Sequence, residues 1–209
     1  MRTVAAIGLL GALVLTIGCG GRGGRSDTAG IFISRDPEQS AADGEGPIRL
    51  ERDGWSWTLR PLRRYAARGV VVGVEGYSSG WQAGLAPCDV ALVWGPLVEE
   101  MLYRRLDWSQ SGRWYFWRYP AGFGHDNTFI ARHSSNTHVI PRNRAVERAA
   151  CGLDEGDVVE LSGLLVRADG VKGGSTVWWE SSTSRDDTGD GSCEVLYVTR
   201  VRAHRMVWE

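Results

Sequence analysis

The chain has 209 residues, of which 43% are hydrophobic and 23% are charged, and its formal net charge is −1 at pH 7. This length suits one globular domain with short extensions. Because nucleic-acid-binding proteins are usually strongly basic, the balanced charge argues against nucleic acid as a partner.

The N-terminus has the pattern of a bacterial signal peptide over residues 1–18. Arg2 gives a positive start, and residues 4–17 form an apolar run that suits a secretory segment better than a membrane-spanning helix. The run ends in LTIGC, which resembles the lipobox of bacterial lipoproteins. This resemblance implies cleavage before Cys19 and lipid attachment to that cysteine, and several acyl chains anchor a protein stably to a membrane. Gly20, in place of Asp, is similar to lipoproteins sent to the outer membrane.

An ordinary signal peptide or an uncleaved anchor are the alternatives for this segment. With the lipobox, we expect a lipid-anchored protein of the cell envelope, held at the outer membrane and facing the periplasm. Its partners are then the membrane, through the acyl chains, and an envelope protein or a cell-wall glycan.

Residues 19–46 are predicted to be the lipidated N-terminus and a flexible tether. They are rich in Gly, Ser, Asp and Arg, with little periodicity, and such a composition buries too little apolar surface to offset the entropy lost on ordering. Residues 47–209 are then a single globular β-rich domain. Beyond Cys19, the cysteines are Cys88, Cys151 and Cys193. An oxidising compartment predicts one disulfide among these, and the sequence leaves the pair open.

The predicted elements follow in chain order. Strands are expected at 54–60, 70–74 and 89–94, and the intervening PLRRYAAR is expected to be a connection. A helix is expected over 97–106, because its apolar residues share a face. The later elements are an aromatic strand at 113–119, a loop and short strand within 121–133, a strand at 137–140, a short helix after Pro141, and strands at 158–166, 176–181 and 193–202.

The run at 158–166 is the densest in aliphatic and β-branched residues, which predicts a central strand. Many short strands with one or two short helices predict a β-rich α+β fold. The element order suits a single domain with a curled sheet or a small OB-like barrel.

The aromatic residues crowd into 107–119, and both faces of the strand at 113–119 carry rings. This strand therefore packs on both sides, or it packs on one side and presents rings on the other. Trp114 and Trp117 would then form a platform for a glycan or a peptide, and a purely structural role in the core is the alternative.

Polar residues near the strand ends provide a second set of candidates for binding a ligand or partner. They would line one cleft if the central and final strands were neighbours, or they would hold the loops together. The members of this set are Asn136, His138, Arg185, Asp187 and Glu194.

The sequence predicts no metal or cofactor. His125, His133 and His138 lie close together but match no helical ligand spacing. Residues 186–191 resemble the first half of a calcium-binding loop, but Tyr197 stands where the closing Glu is required.

The sequence also contains no recognised catalytic motif. A nucleophile and base could be assembled from Ser134, Ser135 or Cys193 with a histidine, yet no G-x-S-x-G turn and no protease-type cysteine pattern is present. We therefore favour a protein without catalytic activity. The alternative is an envelope hydrolase with its site near His138 and Asn136.

Several phrases of the chain together resemble an uncharacterised family of bacterial exported proteins. They are DVALVWGPL, WSQSGRWYFW, SSNTHVIP, GDVVELSGLLV and SRDDTGDGSCEVLYV. The resemblance implies one domain and brings no activity with it. We therefore expect a non-enzymatic binding or assembly module.

Overall fold

The computed structural model describes residues 24–26 as backbone, and residues 30–184 and 193–209 with their side chains. The strands in these ranges are β1 (Gly24–Ser26), β2 (Glu38–Ala41), β3 (Ile48–Arg52), β4 (Trp55–Gly76), β5 (Cys88–Val93), β6 (Asp107–Ser111), β7 (Trp114–Arg118), β8 (Ser134–Pro141), β9 (Val158–Lys172), β10 (Ser175–Glu180), β11 (Glu194–Ala203) and β12 (Met206–Trp208). The helices are α1 (Trp81–Leu85), α2 (Pro96–Glu99), α3 (Asn127–Arg132) and α4 (Arg144–Cys151), with a 3₁₀ helix at Leu102–Arg105.

One large curled sheet holds all strands except the β6–β7 hairpin. Its path runs from β1 to β10, so the sheet as a whole is not a closed barrel. Within it, β4 pairs with β5, β5 with β8, β8 with β11, β11 with β9, and β9 with β4. Only the β8–β11 pairing is parallel, and α4 lies between β8 and β9 along the chain. This cyclic order is typical of the partly open OB-type barrel. The prediction of a single β-rich domain with a curled sheet is confirmed.

The main core fills the inside of this five-stranded ring. Inward side chains of β9 and β11, such as Leu161 and Leu196, pack there with Val146 and Ala150 of α4. Two further apolar clusters lie on the outer side of the ring, because alternate residues of each strand point to opposite faces. Val139 thus packs with the first cluster while its neighbour Ile140 packs with the second.

The strand predicted to be central is β9, which pairs with β4, β10 and β11. Its central part is buried on both faces, as the aliphatic run at 158–166 indicates. Gly163 allows β11 to come close, because a Cβ there would collide with the carbonyl oxygen of Tyr197.

Two parts of the chain differ from the predicted elements. Residues 55–76 form one strand of 22 residues rather than two strands with a connection. Pro61 is tolerated because the register against β9 shifts between Pro61 and Arg63. The helix expected over 97–106 is divided, because Met101 adopts a left-handed backbone conformation with φ of 56° between α2 and the 3₁₀ helix.

The sheet also includes residues from the range predicted to be a tether. Strand β2 pairs with β4 from Glu38 to Ala41, and β1 pairs with β12. All four side chains of β2 are exposed, so it joins the sheet through its main chain and needs no apolar pattern. The folded part therefore begins before residue 47.

Candidate functional site

A group of buried polar side chains lies on the outer face of β5 and β8. Asp89 and His138 are direct cross-strand partners, and Ala91 pairs with Asn136 in the same register. These three polar residues are between 0% and 3% exposed. Buried polar groups normally need partners, and the β6–β7 hairpin supplies them by folding over this face.

The hairpin turn carries an arginine into the site. Gly112 and Arg113 have φ values of 60° and 76°, as a two-residue type I′ turn requires, although an arginine rarely adopts this conformation. The Arg113 guanidinium donates to Asp89 Oδ1 at 2.7 Å and to the carbonyl oxygen of Ala86 at 2.8 Å. The tip of the hairpin is therefore fixed to β5 by a buried ion pair.

Tyr77 supports the same arginine from the other side. Its ring lies 3.6 Å from the guanidinium carbon of Arg113, and its hydroxyl accepts the main-chain N–H of Arg113 at 3.1 Å. Burial, together with the negative charge of Asp89, raises the pKa of Tyr77 to about 12. The phenol is thus kept protonated and in place.

Asn136 connects the hairpin to β8. Its side-chain amide donates to the carbonyl oxygen of Arg113 at 2.9 Å, and its side-chain oxygen accepts from Gln110 Nε2 at 2.8 Å. Asp89 Oδ2 lies 3.4 Å from the same amide nitrogen. Asn136 therefore joins the β6–β7 hairpin to β8 through its side chain.

His138 lies between the carboxylate and a tryptophan. Its Nδ1 is 2.9 Å from Asp89 Oδ1, a close contact that does not form a hydrogen bond. The imidazole ring centroid is 4.4 Å from that of Trp179. Asp89 thus orients the imidazole from one side while Trp179 covers part of it from another.

A cleft of about 410 Å³ opens next to this network. It lies between the hairpin tip, β8 and β10, and it is lined by Gln82, Gly112, Arg113, Trp114, His138, Trp178, Trp179, Glu180 and Cys193. Trp178 is 62% exposed and Trp114 is 37% exposed, so their rings stand at the rim. The floor is polar and is held by the contacts of Arg113, and the rim is aromatic.

The structure brings together only part of the predicted set of site residues. Trp114 and His138 line the cleft, with Asn136 under the hairpin beside it. Glu194 is 2% exposed and pairs with Thr137 at the start of β11. Trp117 does not line the cleft. Its indole N–H instead donates, at 3.0 Å, to the side-chain oxygen of Asn127, the first residue of α3.

Arg185, Asp187 and the calcium-like residues 186–191 lie outside the described residues, as does Cys19. Among the ranges that the structure describes, no group of three or more metal-ligating side chains converges. His125 instead stacks on Phe129, with ring centroids 3.9 Å apart.

Sequence reasoning did not identify Asp89, Arg113, Trp178 or Trp179 as site residues. The pairing of a buried Asp with a His depends on strand register, which the sequence does not reveal. The sequence Ser-Gly-Arg-Trp contains one usable signal. A two-residue hairpin turn places both central residues at positive φ, where Gly, Asn and Asp are usual, so an arginine at this position is uncommon.

Comparisons of the chain with models of protein families, with curated proteins and with solved structures found no match. The helices within the described part of the chain are all too short or too polar to span a membrane. The geometry of the cleft is therefore the basis for a functional proposal.

Proposed function

We propose that this chain is a lipid-anchored protein of the bacterial cell envelope that acts as a non-enzymatic binding module and holds its ligand in the cleft. The lipobox-like sequence ending at Cys19 supports the anchor. The disulfide between Cys88 and Cys151 supports an exported location, because disulfides persist in oxidising compartments. The balanced charge supports a partner other than nucleic acid.

The cleft is the observation that supports binding most strongly. Its volume falls within the range of about 300–1,000 Å³ that is typical of small-ligand sites. Exposing Trp114 and Trp178 to water costs free energy, and such exposed rings often mark a contact surface. The network from Arg113 through Asp89 to His138 keeps the floor in place without a ligand, which lowers the cost of binding.

Photo-crosslinking in intact cells tests this proposal. With p-benzoylphenylalanine in place of Trp178, we expect irradiation to yield a covalent adduct of the full-length chain with its ligand, identified by mass spectrometry. Benzophenone inserts into C–H bonds of both peptides and sugars, so the experiment does not presuppose the ligand's class.

The matched control places the same photoreactive residue at Val171. Val171 is 50% exposed and lies outside the cleft on β9, the strand that pairs with the Trp178-bearing strand β10. An adduct from position 178 alone supports the cleft. Equal adducts from both positions, or none from either, contradict it.

A second candidate function is an envelope hydrolase centred on His138. The contact between His138 and Asp89 favours it, because a carboxylate that orients an imidazole is a common arrangement for a general base. Cys193 lines the same cleft and would be its nucleophile.

Complementation of a deletion strain separates the two candidates. As a binding module, the chain should keep at least part of its function as the His138→Ala variant, because Arg113, Trp114 and Trp178 still line the cleft, provided that the variant accumulates normally. As a hydrolase it should lose function completely, whereas His125→Ala should not. Full complementation by His138→Ala would end the hydrolase hypothesis.

A further inference from the structure

We infer that the ligand of the cleft is an uncharged sugar residue of a glycan chain, an inference that rests on the proposed binding function. It follows from three properties of the cleft: its charge, the surroundings of its aromatic rings, and the mixture of groups that line it.

The charged side chains of the cleft are already paired within the protein. Arg113 Nη1 lies 2.7 Å from Asp89 Oδ1, and Glu180 Oε2 lies 2.9 Å from Arg167 Nη1. The Arg113–Asp89 pair is buried, so an ionic ligand that engaged Arg113 would have to break it, and one that engaged Glu180 would compete with Arg167 at the exposed edge of the cleft. The cleft therefore favours a ligand without net charge.

The aromatic rings are not arranged to hold a cationic ligand. The Arg167 guanidinium lies 4.8 Å from the ring centroid of Trp178, and that of Arg113 lies 5.5 Å from the centroid of Trp179. Trp178 and Trp179 are thus each already in contact with a cation, which would repel a quaternary ammonium group placed on either ring. Trp178 nevertheless stays 62% exposed, so much of its surface is open to an apolar ligand face.

A sugar ring matches the remaining requirements. Its C–H face packs on an indole, and its hydroxyl edge needs hydrogen-bond partners. The cleft offers both, with Trp178 and Trp114 at the rim and the polar groups of Gln82 and Glu180 beside them.

Titration of the purified full-length protein in detergent with neutral oligosaccharides tests the inference. The probes are triacetylchitotriose, maltotriose and cellotriose, with choline chloride as the cationic comparison. We expect at least one sugar to change the tryptophan fluorescence saturably and choline to have no effect. Trp178→Ala and Trp114→Ala should each weaken sugar binding by about tenfold, equivalent to roughly 1.4 kcal/mol.

Phe116→Ala is the matched control, because Phe116 lies on the same hairpin, is 50% exposed and does not line the cleft. The Phe116→Ala variant should bind the sugar with the same affinity as the unmodified chain. The inference is overturned if none of the sugars binds, if choline binds instead, or if both tryptophan variants bind sugar with unchanged affinity.

The cell-based crosslinking distinguishes the two levels of failure. If no sugar binds but position 178 still captures a protein, the glycan assignment is wrong and the binding module stands. If position 178 captures nothing, the proposed function itself fails.

Discussion

Replacing Arg113 with Gly should lower the free energy of unfolding by about 3 kcal/mol. Asp89 is 0% exposed, and Arg113 is the cation that contacts its carboxylate. Removing one partner of a buried ion pair leaves the other charge without compensation, which costs more than the pair itself contributes. Glycine is chosen because the turn requires a φ of 76° at this position, so the backbone should not be strained.

Chemical denaturation followed by tryptophan fluorescence measures this loss, with the slope of the transition compared between variants. Arg118→Ala is the control, because this exposed arginine lies on the same hairpin, and its change should be within about 0.5 kcal/mol. The double variant Asp89→Asn, Arg113→Gly should be less destabilised than the sum of the single variants, by about 2 kcal/mol. Strict additivity would mean that the pair is not the cause.

The same variant should also weaken ligand binding. Arg113 lines the cleft, and its main chain carries Trp114 to the rim. In the double variant Asp89→Asn, Arg113→Gly, the floor of the cleft carries no uncompensated charge. The hairpin tip, however, is still not attached to β5. If the cleft is the binding site, this double variant should therefore bind no more tightly than Arg113→Gly, although it is more stable than the sum of the single variants predicts.

Replacing both Cys88 and Cys151 with Ala should lower the free energy of unfolding by about 4 kcal/mol. The bond joins residues 63 apart in the sequence, and a closed loop of that length removes much conformational entropy from the unfolded chain. It also ties the end of α4 to β5, so that Val146 and Ala150 stay packed against the interior of the ring.

Thermal and chemical unfolding of the double variant, under non-reducing conditions, measures this effect. The unmodified chain treated with a thiol reductant should show a loss of similar size. Cys193→Ala leaves the disulfide intact and should change stability by less than about 1 kcal/mol. A loss below about 1 kcal/mol for the double variant would show that α4 is held by packing alone.

Local patterns in the sequence were sufficient for several elements. The aliphatic run at 158–166 predicts β9, because a strand buried on both faces needs continuous apolar residues. The alternation at 113–119 predicts β7, where Tyr115 and Trp117 pack inward while Trp114 and Phe116 are exposed. The helix predicted after Pro141 is α4, which begins at Arg144, and the side chain of Asn143 caps it as short polar residues do.

Other features were hidden because they depend on main-chain pairing. Strand β2 has no apolar face, and the middle of β4 contains arginines that look like a connection. Arg68 there forms ion pairs with Glu160 and with Glu38 of β2, which makes a polar outer surface compatible with a strand. Burial raises the pKa of Glu160, but the hydrogen bonds and charges of Arg68, Arg202 and Ser162 together lower it further, so the carboxylate is held charged.

By itself, the sequence determined the class of fold and the individual strands with clear periodicity, since these depend on neighbours along the chain. It also supplied the candidate residues His138, Asn136 and Trp114. Only the tertiary structure decided that Asp89 faces His138, that Arg113 reaches Asp89 from a hairpin tip, and that Cys88 pairs with Cys151. Each of these contacts depends on strand register and on how the hairpin folds over the sheet. Distances between strands are set by pairing and packing of the whole chain, and no local pattern of residues encodes them.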